Sequence, residues 1–438
     1  MRTIIALKGR SNSGKTTSIR ILHQLLLKNG FMLVRSNFDK NASDFLSIFS
    51  KNGKLIGVTS VGDTYDLVKG RLREMIDEDC DVCVCACRSY DHKTKPGTLG
   101  AIKEFVGHSC HFIDKAIDDD PKTQPLSNRD DAEGILSLID IQLIIFDFRD
   151  LDAKDYPKDE INKLFKQVGD IAYVILRFHK GKIVMRARPN YNGERFNKRS
   201  DYSFKPADLN RSYQRASTPE QTMFYASSIA DQIEPGELNN MRIIGVAETI
   251  PMLRDKEMSG YQKISFGRWE VIDDLYLLAI VHADEFGEAS SYIKELAEGY
   301  TEFVKSNPKR ILHRSLAFTS FLSEEFSKSE IRGDYDYMIS AIFSELACKC
   351  GLDGVFYPSV RVGGRGFNIA IRPEAVEKLD LRVVGECSIY KLRDNTIVGN
   401  DALAALDSKQ DVFILKDLES QEQLILEKLG VKSVSDLI

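Results

Sequence analysis

Short apolar runs and longer segments of helical periodicity alternate along the first part of the chain. The apolar runs are rich in Ile, Val and Leu and occupy Thr3–Leu7, Phe31–Arg35, Leu55–Ser60 and Asp81–Cys87. Between the first two runs, apolar residues recur every three or four positions from Ser18 to Lys28. Such runs are typical of buried parallel strands, and such spacing predicts an amphipathic helix. We therefore predict an α/β domain with a doubly wound sheet.

The pattern changes after this domain. A polar, acidic stretch with two prolines, Asp114–Asp131, is predicted to be a loop, and Arg149–Asp159 is a second soft region. Helical spacing returns within residues 255–335. We predict a first domain over residues 1–145 and a second over 146–438. Residues 255–335 are expected to form a helical insertion that acts as a lid or an interaction surface.

Composition narrows the class of protein. Of the 438 residues 29% are charged and 43% hydrophobic, which is ordinary for a globular protein, and the length predicts two or three domains. No apolar run approaches the ~18 residues needed to cross a bilayer, and the N-terminus lacks the apolar core of a signal peptide. We expect a cytoplasmic protein that has no membrane partner and whose eight cysteines are free thiols.

Four of those cysteines are close enough in sequence to suggest a metal cluster: Cys80, Cys83, Cys85 and Cys87. Three of them alternate along one apolar run, however, and a single strand cannot surround an ion tetrahedrally. We therefore expect these thiols to pack in the core as small apolar side chains.

The first apolar run leads directly into a glycine-rich motif. Residues 9–16 read GRSNSGKT and match G-x-x-x-x-G-K-[ST] at every fixed position, between a predicted strand and a predicted helix. Glycines let the backbone wrap a phosphate, and the helix N-terminus adds partial positive charge. The motif predicts a P-loop that binds ATP or GTP with Mg²⁺. Its nucleotide-binding residues are predicted to be Gly9, Asn12, Ser13, Gly14, Lys15, Thr16 and Thr17.

Within this loop, Lys15 is expected to reach the β and γ phosphates, and Thr16 is expected to bind Mg²⁺. P-loop enzymes usually carry an acid at the end of a neighbouring strand that helps to hold the metal. Here the neighbouring run ends in Arg88, so Asp63, after the preceding run, is the candidate second metal residue. This departure leaves nucleotide hydrolysis open. The region broadly resembles small P-loop ATPases and kinases.

A basic stretch with interleaved aromatic residues runs from Arg177 to Arg215. It holds 11 Lys and Arg against 3 Asp and Glu. Such a mixture suits single-stranded nucleic acid. It equally suits a dinucleotide, with Arg on the pyrophosphate and an aromatic ring on a base. A solvated basic surface is the third interpretation.

Two segments resemble the RES domain, a family named for its Arg, Glu and Ser. The first, residues 215–227, has Tyr225 ten residues after Arg215, and the second, residues 351–359, reads GLDGVFYPS and ends in Ser359. Asn368 follows in a Gly-rich continuation. The resemblance covers about residues 174–381, within a domain core of about 174–385. Beyond Asp380 we predict only a small strand and a helix.

Two further motifs of the family have counterparts here. The family's Glu lies on a strand after a small residue, and Glu248 follows the apolar run Ile243–Ala247, which we predict to be a strand. An R-x-R stretch matches Arg186-Ala-Arg188. Glu237 is the alternative acid.

The resemblance implies an α+β domain of ADP-ribosyltransferase-like fold that takes NAD as its substrate. It implies catalytic roles for Arg215, Tyr225, Glu248 and Ser359, and NAD contacts for Arg186, Arg188 and Asn368. The chemistry of these groups agrees. A carboxylate can stabilise the oxocarbenium-like sugar that forms when the N-glycosidic bond breaks, and arginines can clamp pyrophosphate. A tyrosine can stack on nicotinamide, and a serine can orient an amide or a ribose hydroxyl.

We therefore expect NAD to be cleaved to nicotinamide and ADP-ribose, with water, phosphate or a protein as acceptor. The resemblance implies a bacterial toxin or defence effector with an antitoxin protein as a partner, and the P-loop domain would regulate it. Nucleic acid is not an expected partner on this interpretation. The alternative is a P-loop NTPase or kinase with a C-terminal RNA- or protein-binding module. Convergence of Arg215, Tyr225, Glu248 and Ser359 on one cleft would favour the first interpretation.

Overall fold

The chain is mixed α/β and divides into two compact units. Unit 1 comprises Met1–Leu151, Lys163–Ala172 and Thr301–Phe318, and unit 2 comprises Asp152–Asn162, Tyr173–Tyr300 and Thr319–Ile438. The computed structural model describes residues 2–39, 44–91, 96–116, 120, 122–219, 221–231, 238, 240–281, 286, 289–407 and 410–438. Unit 1 therefore includes two later segments besides the predicted first domain.

Unit 1 is built on a six-stranded mixed sheet. Its strands are β1 (Thr3–Lys8), β2 (Met32–Ser36), β3 (Leu46–Lys51), β4 (Lys54–Thr59), β5 (Val82–Cys87) and β6 (Ser109–Asp114). Its first four helices are α1 (Lys15–Lys28), α2 (Tyr65–Asp77), α3 (Thr98–Lys103) and α4 (Gln124–Asp150), and α5 (Lys158–Gln167) continues into it from unit 2. The strand order is β2-β3-β4-β5-β1-β6. Strands β4, β5, β1 and β6 are parallel to one another. Strand β3 pairs antiparallel with β2 on one side and with β4 on the other.

The four strands predicted in this unit are confirmed to within one residue at each end. The thiols of Cys83, Cys85 and Cys87 are buried in its core as expected, and burial raises the pKa of each. The loop predicted at Asp114–Asp131 is wrong from Gln124 onward, where α4 begins. Pro125 lies in the first turn of that helix, where its missing N–H removes no hydrogen bond.

Unit 2 contains a ten-stranded sheet. Its strands are β7 (Val174–Phe178), β8 (Ile183–Asn190), β9 (Phe224–Ser228), β10 (Gly260–Val271), β11 (Leu275–Ala279), β12 (Gly354–Pro358), β13 (Phe367–Ile371), β14 (Leu379–Leu392), β15 (Asn395–Ala405) and β16 (Lys416–Asp417). The order is β16-β15-β14-β10-β8-β9-β13-β12-β11-β7. The β11–β12 pair is parallel, and the other neighbours are antiparallel.

The helices of unit 2 include α6 (Met241–Thr249), α9 (Met338–Lys349) and α10 (Glu422–Leu429), while α7 (Ser291–Lys305) and α8 (Lys309–Ser327) each have residues in both units.

The middle of the sheet in unit 2 is the part that positions the candidate functional site. Strand β8 meets β9 at Met185 and Ser227, whereas β8 and β10 pair along eight residues of each strand. A short β8–β9 ladder leaves room between these strands for side chains.

Two expectations for unit 2 are corrected. Ile243–Ala247 lies in helix α6 and not in a strand, because Asn240 caps the helix by accepting from Arg242 N (3.0 Å). The predicted insertion at 255–335 begins with two strands, β10 and β11, and its helices start at Ser291. Along β10 the apolar residues Ile264 and Phe266, which share a core cluster, alternate with Lys263 and Ser265, a period of two that favours a strand.

The chain after Asp380 is also larger than predicted. Strands β14 and β15 extend the central sheet, and α10 packs its apolar face into a small cluster with Tyr390. The long, nearly continuous pairing of β14 with β10 makes this part of the chain integral to the fold of unit 2.

Candidate functional site

A cavity of about 410 Å³ opens in unit 2 around β8, β9, β13 and α6. The described residues that line it are Met185, Arg186, Ala187, Arg188, Pro189, Gln214, Arg215, Tyr225, Ala226, Ser227, Gly245, Glu248, Thr249, Arg254, Tyr337, Tyr357, Arg361 and Asn368. Five of these are arginines, three are tyrosines, and Glu248 is the single carboxylate among them. The cavity is therefore strongly basic and carries one negative charge in its wall.

Glu248 lies in the last turn of α6 and is held by side chains from two other elements. Its Oε1 accepts hydrogen bonds from Ser359 Oγ (2.6 Å) and from Asn368 Nδ2 (2.7 Å). Ser359 is fully buried directly after β12, and Asn368 lies on β13. Because both donors reach the same oxygen, Oε2 is the carboxylate oxygen that can face a ligand.

The approach of α6 to the sheet depends on a glycine. A Cβ at Gly245 would lie 2.8 Å from Ala187 Cβ on β8, closer than carbon atoms pack. Gly245 is one helical turn before Glu248, so the same close approach that excludes a side chain there brings the carboxylate to the cavity wall.

Arg215 is fixed by backbone carbonyls. Its guanidinium donates to Phe326 O and to Lys328 O (2.9 Å), and it stands 5.1 Å from the ring centroid of Tyr337. The bonds to neutral acceptors leave the charge of Arg215 uncompensated by them. The guanidinium can therefore still attract an anion in the cavity.

Tyr225 adjoins the Arg215 segment. Its hydroxyl oxygen accepts from Ala216 N (3.0 Å) and lies 2.9 Å from Ser217 Oγ. Burial raises the pKa of Tyr225 to about 12, so its hydroxyl is protonated at neutral pH. The hydroxyl is thus hydrogen-bonded to the neighbouring segment, and the ring is the part of Tyr225 that lines the cavity.

Arg186 and Arg188 extend from β8 into the cavity. Arg186 Nη1 donates to Tyr225 O across the β8–β9 gap (2.9 Å), while its buried Nε has no hydrogen-bond partner among the described residues. Burial, and then the charge of Arg188, lower the pKa of Arg186 to about 10. Arg188 stands 3.8 Å from the ring centroid of Phe196. A buried donor that lacks a partner, in a cavity wall, is suited to an anionic ligand.

The structure therefore brings together all seven residues predicted for this site, since Ser359 joins the other six through Glu248. Sequence reasoning missed Arg254, Arg361 and Tyr337. Arg254 donates to Glu248 O, and Arg361 Nη1 donates to Ser329 O (3.2 Å). Arg361 is two residues after Ser359, which is a signal that could have been used. Glu237, the alternative acid, lies outside the described residues.

Several charges of the basic stretch are engaged elsewhere in unit 2. Arg177 pairs with Asp274 (2.6 Å), Arg199 pairs with Asp380 (3.0 Å), and Lys182 pairs with Asp231. Cations held in ion pairs are less available to a nucleic-acid backbone. Three arginines of the stretch, Arg186, Arg188 and Arg215, line the cavity instead, and of these Arg188 also lies 4.0 Å from Asp201 Oδ1.

In unit 1, the glycine-rich motif links β1 to α1. Asn12 and Gly14 adopt left-handed conformations (φ 56° and 85°), so the backbone turns sharply within the motif. Lys15 is buried, and its Nζ donates to Gly9 O (3.0 Å) and to Arg10 O (2.6 Å). Ser13 Oγ donates to Arg10 O (2.9 Å).

The remaining predicted residues of this motif differ in exposure. Thr16 is half-buried and Thr17 is exposed. Asp63, the predicted metal residue, follows β4 and pairs with Arg88, with Oδ1 3.3 Å from Nη2. Its carboxylate is therefore already opposite a positive charge.

Two other kinds of feature are absent from the described part of the chain. No group of three or more His, Cys, Asp or Glu side chains is placed to hold a metal ion. No helix there combines the length and the apolarity needed to span a membrane. Comparisons of the chain with protein-family models, with curated proteins and with solved structures found no match.

Proposed function

We propose that unit 2 is an NAD-consuming enzyme and that the cavity around Glu248 is its active site. One observation carries this proposal: Glu248, the one carboxylate among the described residues that line a cavity with five arginines, is oriented by two hydrogen bonds, from Ser359 and Asn368. A volume of about 410 Å³ lies within the range of small-molecule sites. The likeness of residues 174–381 to the RES domain supports the same substrate.

The charges of the cavity suit the charges of NAD. The pyrophosphate carries two negative charges, which Arg186, Arg188 and Arg215 can bind from different sides. Arg254 and Arg361 add positive charge beside Glu248. The nicotinamide ring is cationic and aromatic, so a tyrosine ring such as Tyr225 is a suitable neighbour.

The proposed reaction breaks the bond between ribose C1′ and the nicotinamide nitrogen. The electron pair of that bond leaves with the nitrogen, which becomes neutral, and the positive charge moves to the ribose as an oxocarbenium-like species. A carboxylate fixed beside that carbon stabilises the developing charge. An acceptor oxygen then bonds to C1′ and loses its proton. Water, phosphate or a protein side chain can supply that oxygen.

An RNA-binding module is the less favoured reading of unit 2. Arg177, Lys182 and Arg199 are in ion pairs, whereas phosphate-backbone binding depends on cations that are free to neutralise phosphates. The alternative of a P-loop kinase or NTPase with a C-terminal binding module therefore has less support than NAD consumption.

For unit 1 we propose that the Gly9–Thr16 loop is a P-loop that binds ATP or GTP and regulates unit 2. The left-handed Asn12 and Gly14 and the buried Lys15 support this. Consumption of the cytoplasmic NAD pool would stop growth. A role as a toxin or defence effector with a protein antitoxin is thus part of the proposal, and it rests on the RES resemblance.

The test is to incubate the purified full-length chain with NAD, with and without ATP, and to measure free nicotinamide by chromatography. We expect nicotinamide to appear in equal amount to the NAD lost. NAD that stays intact under both conditions would contradict the proposal. Single-stranded RNA is the comparison ligand: tight binding to it with a steep salt dependence, and no NAD loss, would favour the module instead.

A further inference from the structure

The carboxyl ends of the parallel strands in unit 1 surround the glycine-rich loop. Gly9 N donates to Cys87 O (3.1 Å), so the end of β5 lies directly against the loop. The residue that follows is Arg88, at a position where a magnesium-binding P-loop usually has an acid. A cation therefore stands where a metal ligand is required.

Asp63 does not fit as a substitute for that acid. Its carboxylate is paired with Arg88 at 3.3 Å, and Arg88 N is fixed by Thr98 Oγ1 (2.7 Å). A metal ion at Asp63 would have to displace Arg88 or share the carboxylate with it. Asp91, the acid that follows β5, accepts from Leu99 N and Gly100 N at the start of α3.

Two further carboxylates near these strand ends are also neutralised. Asp114, at the end of β6, pairs with Lys8 (2.9 Å). Asp131 is fully buried on α4 and pairs with Lys115 (2.7 Å) and with Lys309. Asp63, Asp114 and Asp131 are thus each paired with a cation, and Lys15 adds a further positive charge within the loop.

The neighbouring positive charge also affects the pKa of Lys15. Burial, and next the charge of Arg88, lower the pKa of Lys15. Two cations that repel each other are stabilised when one anion binds both, because each then gains an opposite charge.

We propose that the loop binds the phosphate chain of ATP or GTP without a divalent cation, and that Arg88 supplies the positive charge that Mg²⁺ supplies in other P-loops. This rests on the proposed nucleotide binding by unit 1. Asp63 positions Arg88 and partly neutralises it while the loop has no phosphate. The ligand class is a nucleoside triphosphate in its metal-free form.

Isothermal titration of the full-length chain with ATP, once with excess Mg²⁺ and once with EDTA, is the direct test. We expect ATP to bind at least as tightly in EDTA as in Mg²⁺. Arg88→Ala should weaken binding in EDTA by about ten- to a hundredfold, the usual cost of one charge-assisted contact. Arg71→Ala removes an arginine from a surface ion pair with Glu74 in the middle of α2, and it should change nothing.

Asp63→Asn distinguishes a positioning role of this carboxylate from a magnesium-binding role, because the two roles predict different changes in ATP affinity. A positioning acid that also neutralises Arg88 predicts equal or tighter ATP binding after the substitution, with or without Mg²⁺. A magnesium ligand predicts weaker binding in Mg²⁺ alone. The inference is overturned if Mg²⁺ tightens binding by about tenfold or more and Arg88→Ala leaves it unchanged. Absence of ATP and GTP binding in both buffers would overturn it together with the proposed nucleotide binding, and thermal melting of each variant checks that it folds.

Discussion

Ser359 donates its hydroxyl hydrogen to Oε1 of Glu248 over 2.6 Å, joining residues that are 111 positions apart in the chain. The serine is fully buried and its N–H donates to Gly366 O (2.8 Å), so the hydroxyl has little freedom to turn away. Asn368 reaches the same carboxylate oxygen from the facing strand. Glu248, on helix α6, is therefore held by one residue of β13 and one residue directly after β12. A group that must stabilise a charge at a defined place has to be fixed in this way.

The first prediction concerns these two donors. Ser359→Ala and Asn368→Ala should each slow nicotinamide release by about ten- to a hundredfold, because a hydrogen bond to a carboxylate contributes about 1.5–3 kcal/mol. The double variant should lose less than the product of the two effects, since both donors position one oxygen. Steady-state rates of the three proteins measure this.

Ser388→Ala is the matched control for that experiment. Ser388 is also buried and donates to a carboxylate, Asp401 (2.7 Å), but it lies on β14 and does not line the cavity. Its rate should equal that of the wild type. Equal losses in the Ser388 and Ser359 variants would show that the effect is one of folding and not of the site.

The second prediction concerns Arg215. Arg215→Lys keeps the charge, but an ammonium group cannot reproduce the planar fork that reaches both Phe326 O and Lys328 O. We expect NAD to bind about tenfold more weakly, and urea unfolding to show a loss of about 1–3 kcal/mol. Arg268→Lys, on an exposed position of β10, should change neither quantity. An unchanged dissociation constant in the Arg215 variant would remove this residue from the NAD site.

The third prediction is a pH dependence in unit 1. Burial, then the charges of Lys309 and His111, lower the pKa of His313 to about 4. The unfolded chain, with a histidine pKa near 6.5, therefore binds a proton that the folded unit does not. The contribution to stability is complete above about pH 6.5 and is lost as the pH falls towards 4, with a loss of about 2 kcal/mol by pH 5.

Urea unfolding at pH 7.5 and pH 5 measures this effect, and His313→Gln is the informative variant. Between those pH values the variant should take up about one proton fewer on unfolding than the wild type. Its free energy of unfolding should therefore fall less in acid. His23 and His111 also have lowered pKa values because of burial, so some dependence should remain. A variant that loses as much stability in acid as the wild type would contradict the assignment to His313.

Local patterns predicted much of unit 1, because buried parallel strands and a glycine-rich loop leave clear signals over a few residues. The four predicted strands and the end of α1 at Lys28 illustrate this. Strands β3 and β6 and helix α4 were not predicted. The long apolar stretch of α4 is buried on many sides, so it lacks the one-sided periodicity by which a surface helix is identified.

For the site in unit 2, the sequence identified most of the residues but not all of their secondary structure. Glu248 was expected on a strand, since Ile243–Ala247 is too short and too apolar for periodicity to separate a strand from a helix. Arg254 and Arg361 went unpredicted because isolated arginines are usually surface residues. Only the tertiary approach of α6 to the β12–β13 connection brings them to one cavity.

The most direct test of the central claim compares wild type with Glu248→Gln for nicotinamide release from NAD, with the dissociation constant of NAD measured in parallel. The amide keeps the shape of the side chain and removes its charge, so the rate should fall about a hundred- to a thousandfold while NAD still binds. Glu298→Gln, an exposed acid on α7, serves as the control and should keep the wild-type rate. A Glu248→Gln protein that releases nicotinamide as fast as the wild type would contradict the account.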